Sequence, residues 1–299
     1  MKFLNVLKMI RSHIVAGGML AFSLGTLLGI IEGGVFKPAP VILGYIIVFL
    51  GDLSTHFSND YFDAEIDEHA KAKFFSGKKI LVNHPQLRPA ARNISLTLLV
   101  LSNVIATVIV LFFGAPTELL IITLAANLLG WIYSAPPLRL SSRALGEVTV
   151  AVATGFIIPS IGYLSVKNQL DFPFFVLSIP FMMYGFLLSL NLQAPDIEID
   201  RKWKKRTFAT RTGKRNVFFV TLSIAVLATL TLFSLWWQTK LNFDLMAFAL
   251  ISLIPLAAGL LGFALSFKNK DLKKFSTLNI FSLFLFITAL NIHCLLLLQ

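Results

Sequence analysis

The chain has 299 residues, 56% of them hydrophobic and only 14% charged. A water-soluble domain carries about 25% charged residues and could not bury such an apolar surplus at this length, and the same surplus excludes disorder. The net charge of +11 would suit nucleic acid only on a soluble basic face; here the Lys and Arg lie between apolar runs, and the single cysteine, Cys294, excludes a disulfide framework.

About 20 apolar residues cross the hydrocarbon core as a helix. The first such run, near 14–31, follows Lys2, Lys8 and Arg11. It is too long for a signal-peptide core and no Ala-x-Ala cleavage site follows, so it reads as a retained span. Further runs fall near 40–58, 94–113, 117–135, 146–165, 172–192, 217–237, 244–266 and 275–298. The expectation is an all-α polytopic bundle of nine transmembrane helices within a single domain, 1–299. Its layout suggests two four-helix pseudo-repeats plus a ninth helix. With nine spans the loops alternate between faces, and all but Lys37, Lys167 and Lys240 of the 26 Lys and Arg fall on one of them. That asymmetry makes the crowded face cytoplasmic and predicts a multi-pass protein of the cell (inner) membrane. Two long loops, about 59–93 and 193–216, lie on that face.

These loops open with acidic stretches. Span 2 ends in Asn59-Asp60-Tyr61-Phe62-Asp63-Ala64-Glu65-Ile66-Asp67, and span 6 in Gln193-Ala194-Pro195-Asp196-Ile197-Glu198-Ile199-Asp200. Asn59, Asp63 and Asp67 are spaced i, i+4, i+8, which places three oxygen donors on one helical face if the helix continues; Asp196 and Asp200 repeat the i, i+4 step. Like charges at that spacing repel, more so at the low-dielectric edge of a bilayer. A cation therefore belongs among them. Carboxylate and amide oxygens with no His or Cys suit a hard divalent ion, and Mg²⁺ is usually held by one or two carboxylates plus substrate phosphate oxygens. The competing reading is a solvated helix end whose acids balance nearby Lys and Arg. The same core after spans 2 and 6 on the same face weighs against it.

A third element, Tyr133-Ser134-Ala135-Pro136-Pro137-Leu138-Arg139-Leu140, follows span 4. Together the three motifs resemble those of the UbiA superfamily of intramembrane prenyltransferases. The resemblance implies that two Mg²⁺ ions bridge the acidic motifs and the diphosphate of an isoprenyl donor. The prenyl chain would lie in an apolar tunnel, and an allylic cation would be attacked by an aromatic acceptor. Carried onto this sequence, it makes Asn59, Asp63, Asp67, Asp196 and Asp200 the metal and diphosphate ligands, with Asp60 in support. Tyr133 and Ser134 match positions that touch the diphosphate or the reacting carbon. Arg139, Arg11, Lys73 and Arg88 are diphosphate clamps. Arg143-Ala144-Leu145-Gly146-Glu147 and Thr207-Phe208-Ala209-Thr210-Arg211-Thr212-Gly213 are similar to the branch that prenylates 1,4-dihydroxy-2-naphthoate in menaquinone synthesis. Glu147 is either an acceptor-side carboxylate or a helix N-terminal charge. The implied partners are an isoprenyl diphosphate, an aromatic (quinone-precursor) acceptor and the bilayer, with no obligate protein partner and no nucleic acid.

Other readings fare worse. A CDP-alcohol phosphotransferase would need a Gly and an Arg after Asp63 that are absent. A glycerol phosphate ether lipid, a porphyrin or a chlorin remains an alternative acceptor. A cation-coupled transporter would place ionisable groups near the midplane, whereas the acids here cluster at helix ends on one face and, apart from Asp52 close to the end of span 2, none lies well inside a span.

Overall fold

The computed structural model describes residues 12–69, 80–239, 241–267 and 272–299. Its long helices are α1 Ser12–Ile31, α2 Pro38–Phe62, α3 Arg88–Phe113, α4 Thr117–Ser134, α5 Gly146–Leu164, α6 Phe172–Gln193, α7 Lys214–Gln238, α8 Leu245–Ser266 and α9 Leu272–Leu297. Among the described residues eight helices are long and apolar enough to cross a membrane, joined by the shorter apolar helix Val15–Ile31 within α1. The chain is an all-helical polytopic bundle, with no strand among the described residues.

Local chemistry sets the ends. Proline begins α2 at Pro38, where its missing N–H costs nothing and its φ suits the first turn. Asp171 and Asp244 cap α6 and α8, accepting from the backbone N–H of Phe174 and Ala247 at 3.5 and 3.1 Å. Gly114 closes α3 at φ 69°, a left-handed conformation that glycine adopts without penalty. Span 3 starts earlier than its apolar run, at Arg88, because a helix continues outward through polar residues such as Arg92 while its backbone bonds hold.

α2 packs on α3 and α4, α6 packs on α5 and α7, and α9 closes the ring against α1, α6 and α8. α5 is wedged between α1 and α6. A Cβ at Gly25 of α1 would overlap the Pro159 carbonyl of α5, and one at Gly155 of α5 would overlap the Met182 backbone of α6. Such close backbone approach is how helices associate in lipid, where apolar burial supplies no drive. Around Gly155 the helix widens into a π turn, Ala153–Ile157, a feature frequent at functional sites. Polar side chains add further ties: Asn279 of α9 donates to Asn191 of α6 at 2.8 Å, and Asn191 donates to Thr221 of α7 at 3.2 Å. Outward positions such as Phe112, Leu128, Leu230 and Trp237 are exposed apolar side chains, the surface expected to face lipid. These features describe an integral multi-pass membrane protein.

Candidate active site

The first acidic stretch does not continue as one straight helix. α2 ends at Phe62, and Asp63 caps it with φ −100° and ψ 5°, its N–H donating to the Asn59 carbonyl at 2.9 Å. A separate short helix, Ala64–His69, then carries Asp67. Asn59 is half-buried and Asp60 buried. The Asp63 side chain turns inward, and the residue is only 6% exposed.

Two cations from distant loops meet the Asp63 carboxylate. Arg139, in the loop after α4, donates to Oδ1 at 3.0 Å and to the Phe62 carbonyl at 3.4 Å. Lys205, in the loop after α6, donates from Nζ to Oδ2 at 3.3 Å. The non-glycine residues with left-handed backbone among the described ones are Arg139 (φ 42°) and Lys204 (φ 55°). Such strain costs about 1–3 kcal/mol and persists where surrounding contacts over-determine it. Here one such residue is itself a cation on Asp63 and the other immediately precedes Lys205.

The second stretch leaves α6 through a 3₁₀ turn, Ala194–Asp196, into a short helix, Ile197–Lys202. Asp196 stands half-buried at that helix's N-terminus, and Asp200 is buried. The two stretches are tied by Lys205, whose backbone N–H donates to the Asp200 carbonyl at 2.9 Å while its side chain holds Asp63. The next N–H, of Arg206, donates to the Ser142 carbonyl at 2.9 Å. Arg201 donates from Nε to the Thr210 carbonyl at 3.0 Å, and Thr207 caps the helix Phe208–Thr212.

Glu147 anchors this loop. It is 1% exposed in the first turn of α5, and its Oε1 accepts from the Phe208 N–H at 2.6 Å. The structure places it where a helix N-terminal charge would lie, and the carboxylate reaches further to accept from the start of a neighbouring loop helix. Ser134, at the end of α4, is fully buried, and its Oγ has no hydrogen-bond partner among the described residues. Tyr133 beside it is half-buried. Arg88 begins α3 and donates to the Leu81 carbonyl at 3.5 Å, a contact within its own loop. Arg11, Lys73 and the side chain of Asp67 lie outside the described residues.

Among the described residues no group of three His, Cys, Asp or Glu side chains stands ready to hold a metal alone. The donor set still fits Mg²⁺, which takes few protein carboxylates and completes its shell with phosphate oxygens. A buried carboxylate flanked by Arg139 and Lys205, with the partnerless Ser134 hydroxyl at the end of α4, offers oxygen donors to a hard cation and positive charge to an anion beside it. Sequence alone does not single out Lys205, because five basic residues crowd positions 201–206; its contacts with Asp63 and Asp200 do.

Beneath the motifs lies a cavity of about 150 Å³. Its wall comes from α1, α2, α5, α6 and α9, with aromatic faces from Phe181, Tyr184, Phe284 and Phe286. On α6 it reaches Leu192, one turn before Asp196.

Comparison with known proteins agrees with this architecture. The profile of the UbiA prenyltransferase family matches residues 19–290. A homogentisate phytyltransferase from Synechocystis sp. is 27% identical over 172 residues, covering 54% of this chain and 53% of that protein. A chloroplastic homogentisate solanesyltransferase from Arabidopsis thaliana is 28% identical over 150 residues, covering 46% and 39%. The matched region thus spans about half or less of the length of these curated relatives. A UbiA homologue from Archaeoglobus fulgidus, solved with GPP and Mg²⁺ bound, superposes with a TM-score of 0.68 at 15% identity, covering 96% of this chain and 99% of that one. At that identity the likeness shows a shared fold.

Proposed function

Because the chain belongs to the UbiA prenyltransferase family, we propose that it transfers an isoprenyl group from an isoprenyl diphosphate to an aromatic acceptor within the membrane. The observation that carries this reading is Lys205, which ties the two acidic stretches together above an apolar cavity. Asn59, Asp63 and Asp67 from one side, with Asp196 and Asp200 from the other, would hold two Mg²⁺ ions that, when bound, neutralise charge on the departing diphosphate.

The chain's own residues do the rest. Arg139 and Lys205 stand at the site already ordered, so they stabilise developing negative charge with little reorganisation. Asp60 supports the first ligand set, and Ser134 donates its free hydroxyl to a diphosphate oxygen. Arg11, Lys73 and Arg88 are further cations for the same group. The cavity takes the isoprenyl chain and excludes water, while the Tyr133 ring faces positive charge on the allylic carbon. The Lys/Arg asymmetry supports a site at the cytoplasmic face of the cell membrane.

The named substrate of the two relatives is homogentisate. It shares with 1,4-dihydroxy-2-naphthoate a dihydroxylated, electron-rich ring, the nucleophile that an allylic cation needs. The test is a product assay of the purified protein with several isoprenyl diphosphates against both acids and 4-hydroxybenzoate. A prenylated ring formed only with Mg²⁺ is the expected result. Release of diphosphate without any prenylated aromatic product would reject the aromatic acceptor.

A further inference from the structure

Resting on that reading, the same site must also dispose of a proton. When a neutral aromatic ring attacks the allylic carbon, the carbon–oxygen bond breaks and its electron pair leaves with diphosphate. A ring π pair forms the new carbon–carbon bond. The attacked carbon then loses its hydrogen as a proton, the C–H pair restores aromaticity, and no oxidant or reductant is involved. A base is required within the cavity.

Among the lining residues Asp52 alone bears a charge; Thr154 and Tyr184 are polar, and the others are apolar or glycine. Asp52 lies at mid-length of α2. An ionisable group so deep in a span is costly and is by default a functional candidate. Its surroundings accommodate it. At Gly18 of α1 the absent side chain leaves room, since even a Cβ there would lie 3.6 Å from the Asp52 Oδ2. Oδ1 faces His56 Nε2 at 3.5 Å, and the two side chains are 18% and 8% exposed. Asp52 precedes Asn59 by two helical turns, about 10 Å along the axis. It therefore sits below the diphosphate site, on the wall of the space an acceptor ring would enter.

We propose that Asp52 is the proton acceptor of the alkylation, with its Oδ2 taking the hydrogen from the attacked ring carbon and His56 serving as the positioning residue that holds the carboxylate toward the cavity. A packing role, in which Asp52 and His56 merely bridge a turn of α2, makes different predictions.

The experiment compares the full chain with Asp52→Asn, Asp52→Glu and His56→Gln. Its probes are geranyl diphosphate, Mg²⁺ and whichever aromatic acceptor the wild type prenylates, supplied with hydrogen or deuterium on the ring. Asp52→Asn should bind geranyl diphosphate with Mg²⁺ like the wild type, judged by thermal shift, and keep its KM for the donor. Its kcat should fall about 100-fold, the usual contribution of a positioned base. A primary isotope effect absent from the wild type should appear, because proton loss has become rate-limiting. Asp52→Glu should recover part of the rate, and His56→Gln should fall between. Wild-type kcat in Asp52→Asn without an isotope effect overturns the proposal. So does loss of donor binding in proportion to kcat, which marks a structural role, or a product in which the isoprenyl group has replaced a ring carboxylate, since no proton leaves that carbon. If the wild type prenylates no aromatic acceptor, the functional reading falls and this inference falls with it.

Discussion

Asp63 concentrates the electrostatics of the site. A buried carboxylate is tolerated only when paired, and this one is paired twice, by cations from the fourth and sixth connections. Both bonds are charge-assisted, a class worth about 1.5–3 kcal/mol each. Lys205→Met should therefore reduce kcat/KM for the isoprenyl diphosphate about 10- to 100-fold while membrane insertion stays normal, measured by initial rates on protein matched for abundance. An unchanged kcat/KM would remove Lys205 from the site. This residue also marks where sequence stops informing. The acidic motifs are legible because few carboxylates occur in so apolar a chain and their spacing is helical. Which of the neighbouring lysines reaches across the bundle depends on a backbone turn that composition does not encode.

At the scale of elements, two devices fix α5 against its neighbours. Close packing of α5 depends on glycine at Gly25 and Gly155. Overpacking such a contact costs about 1–3 kcal/mol, so Gly25→Val should lower the thermal unfolding midpoint of the detergent-solubilised protein; an unchanged midpoint would show that α1 and α5 can separate freely. Outside the spans, Asp171 caps α6 and pairs with Lys167 and Tyr163. Burial pushes its carboxyl upward, but the hydrogen bonds from Lys167 and Tyr163 prevail and hold it below the usual carboxylate range. A lowered folded-state pKa contributes stability above the unfolded value of about 3.9, and that contribution is lost as pH falls through the lower folded value. Asp171→Asn should thus destabilise at pH 7 and make little difference near pH 2; equal destabilisation at both would contradict the ionic account. The sequence disclosed the spans to within a few residues because apolar length is a direct demand of the bilayer. It did not disclose the break at Asp63 or the anchoring of Phe208 by Glu147, since both are tertiary contacts between loops far apart in the chain.

For the whole molecule, the bundle gathers the acidic stretches and their cations at one end of the helices, above a cavity lined by α1, α2, α5, α6 and α9. The Lys/Arg asymmetry predicts that this end meets the cytoplasm. Cys294 is fully buried, so it gives little labelling background. Arg143→Cys, in the loop beside Arg139, should resist an impermeant maleimide added outside intact cells, whereas Asn168→Cys, in the connection before α6, should react. The reverse pattern would place the site outside.

The account's central claim is that carboxylates from both stretches, with Mg²⁺, grip one isoprenyl diphosphate. The most direct measurement is Mg²⁺-dependent diphosphate release by the wild type, Asp63→Ala and Asp196→Ala, each confirmed as inserted at equal abundance. The account predicts release by the wild type that vanishes without Mg²⁺ and is abolished in both variants. Activity within a few-fold of wild type in either variant would contradict it.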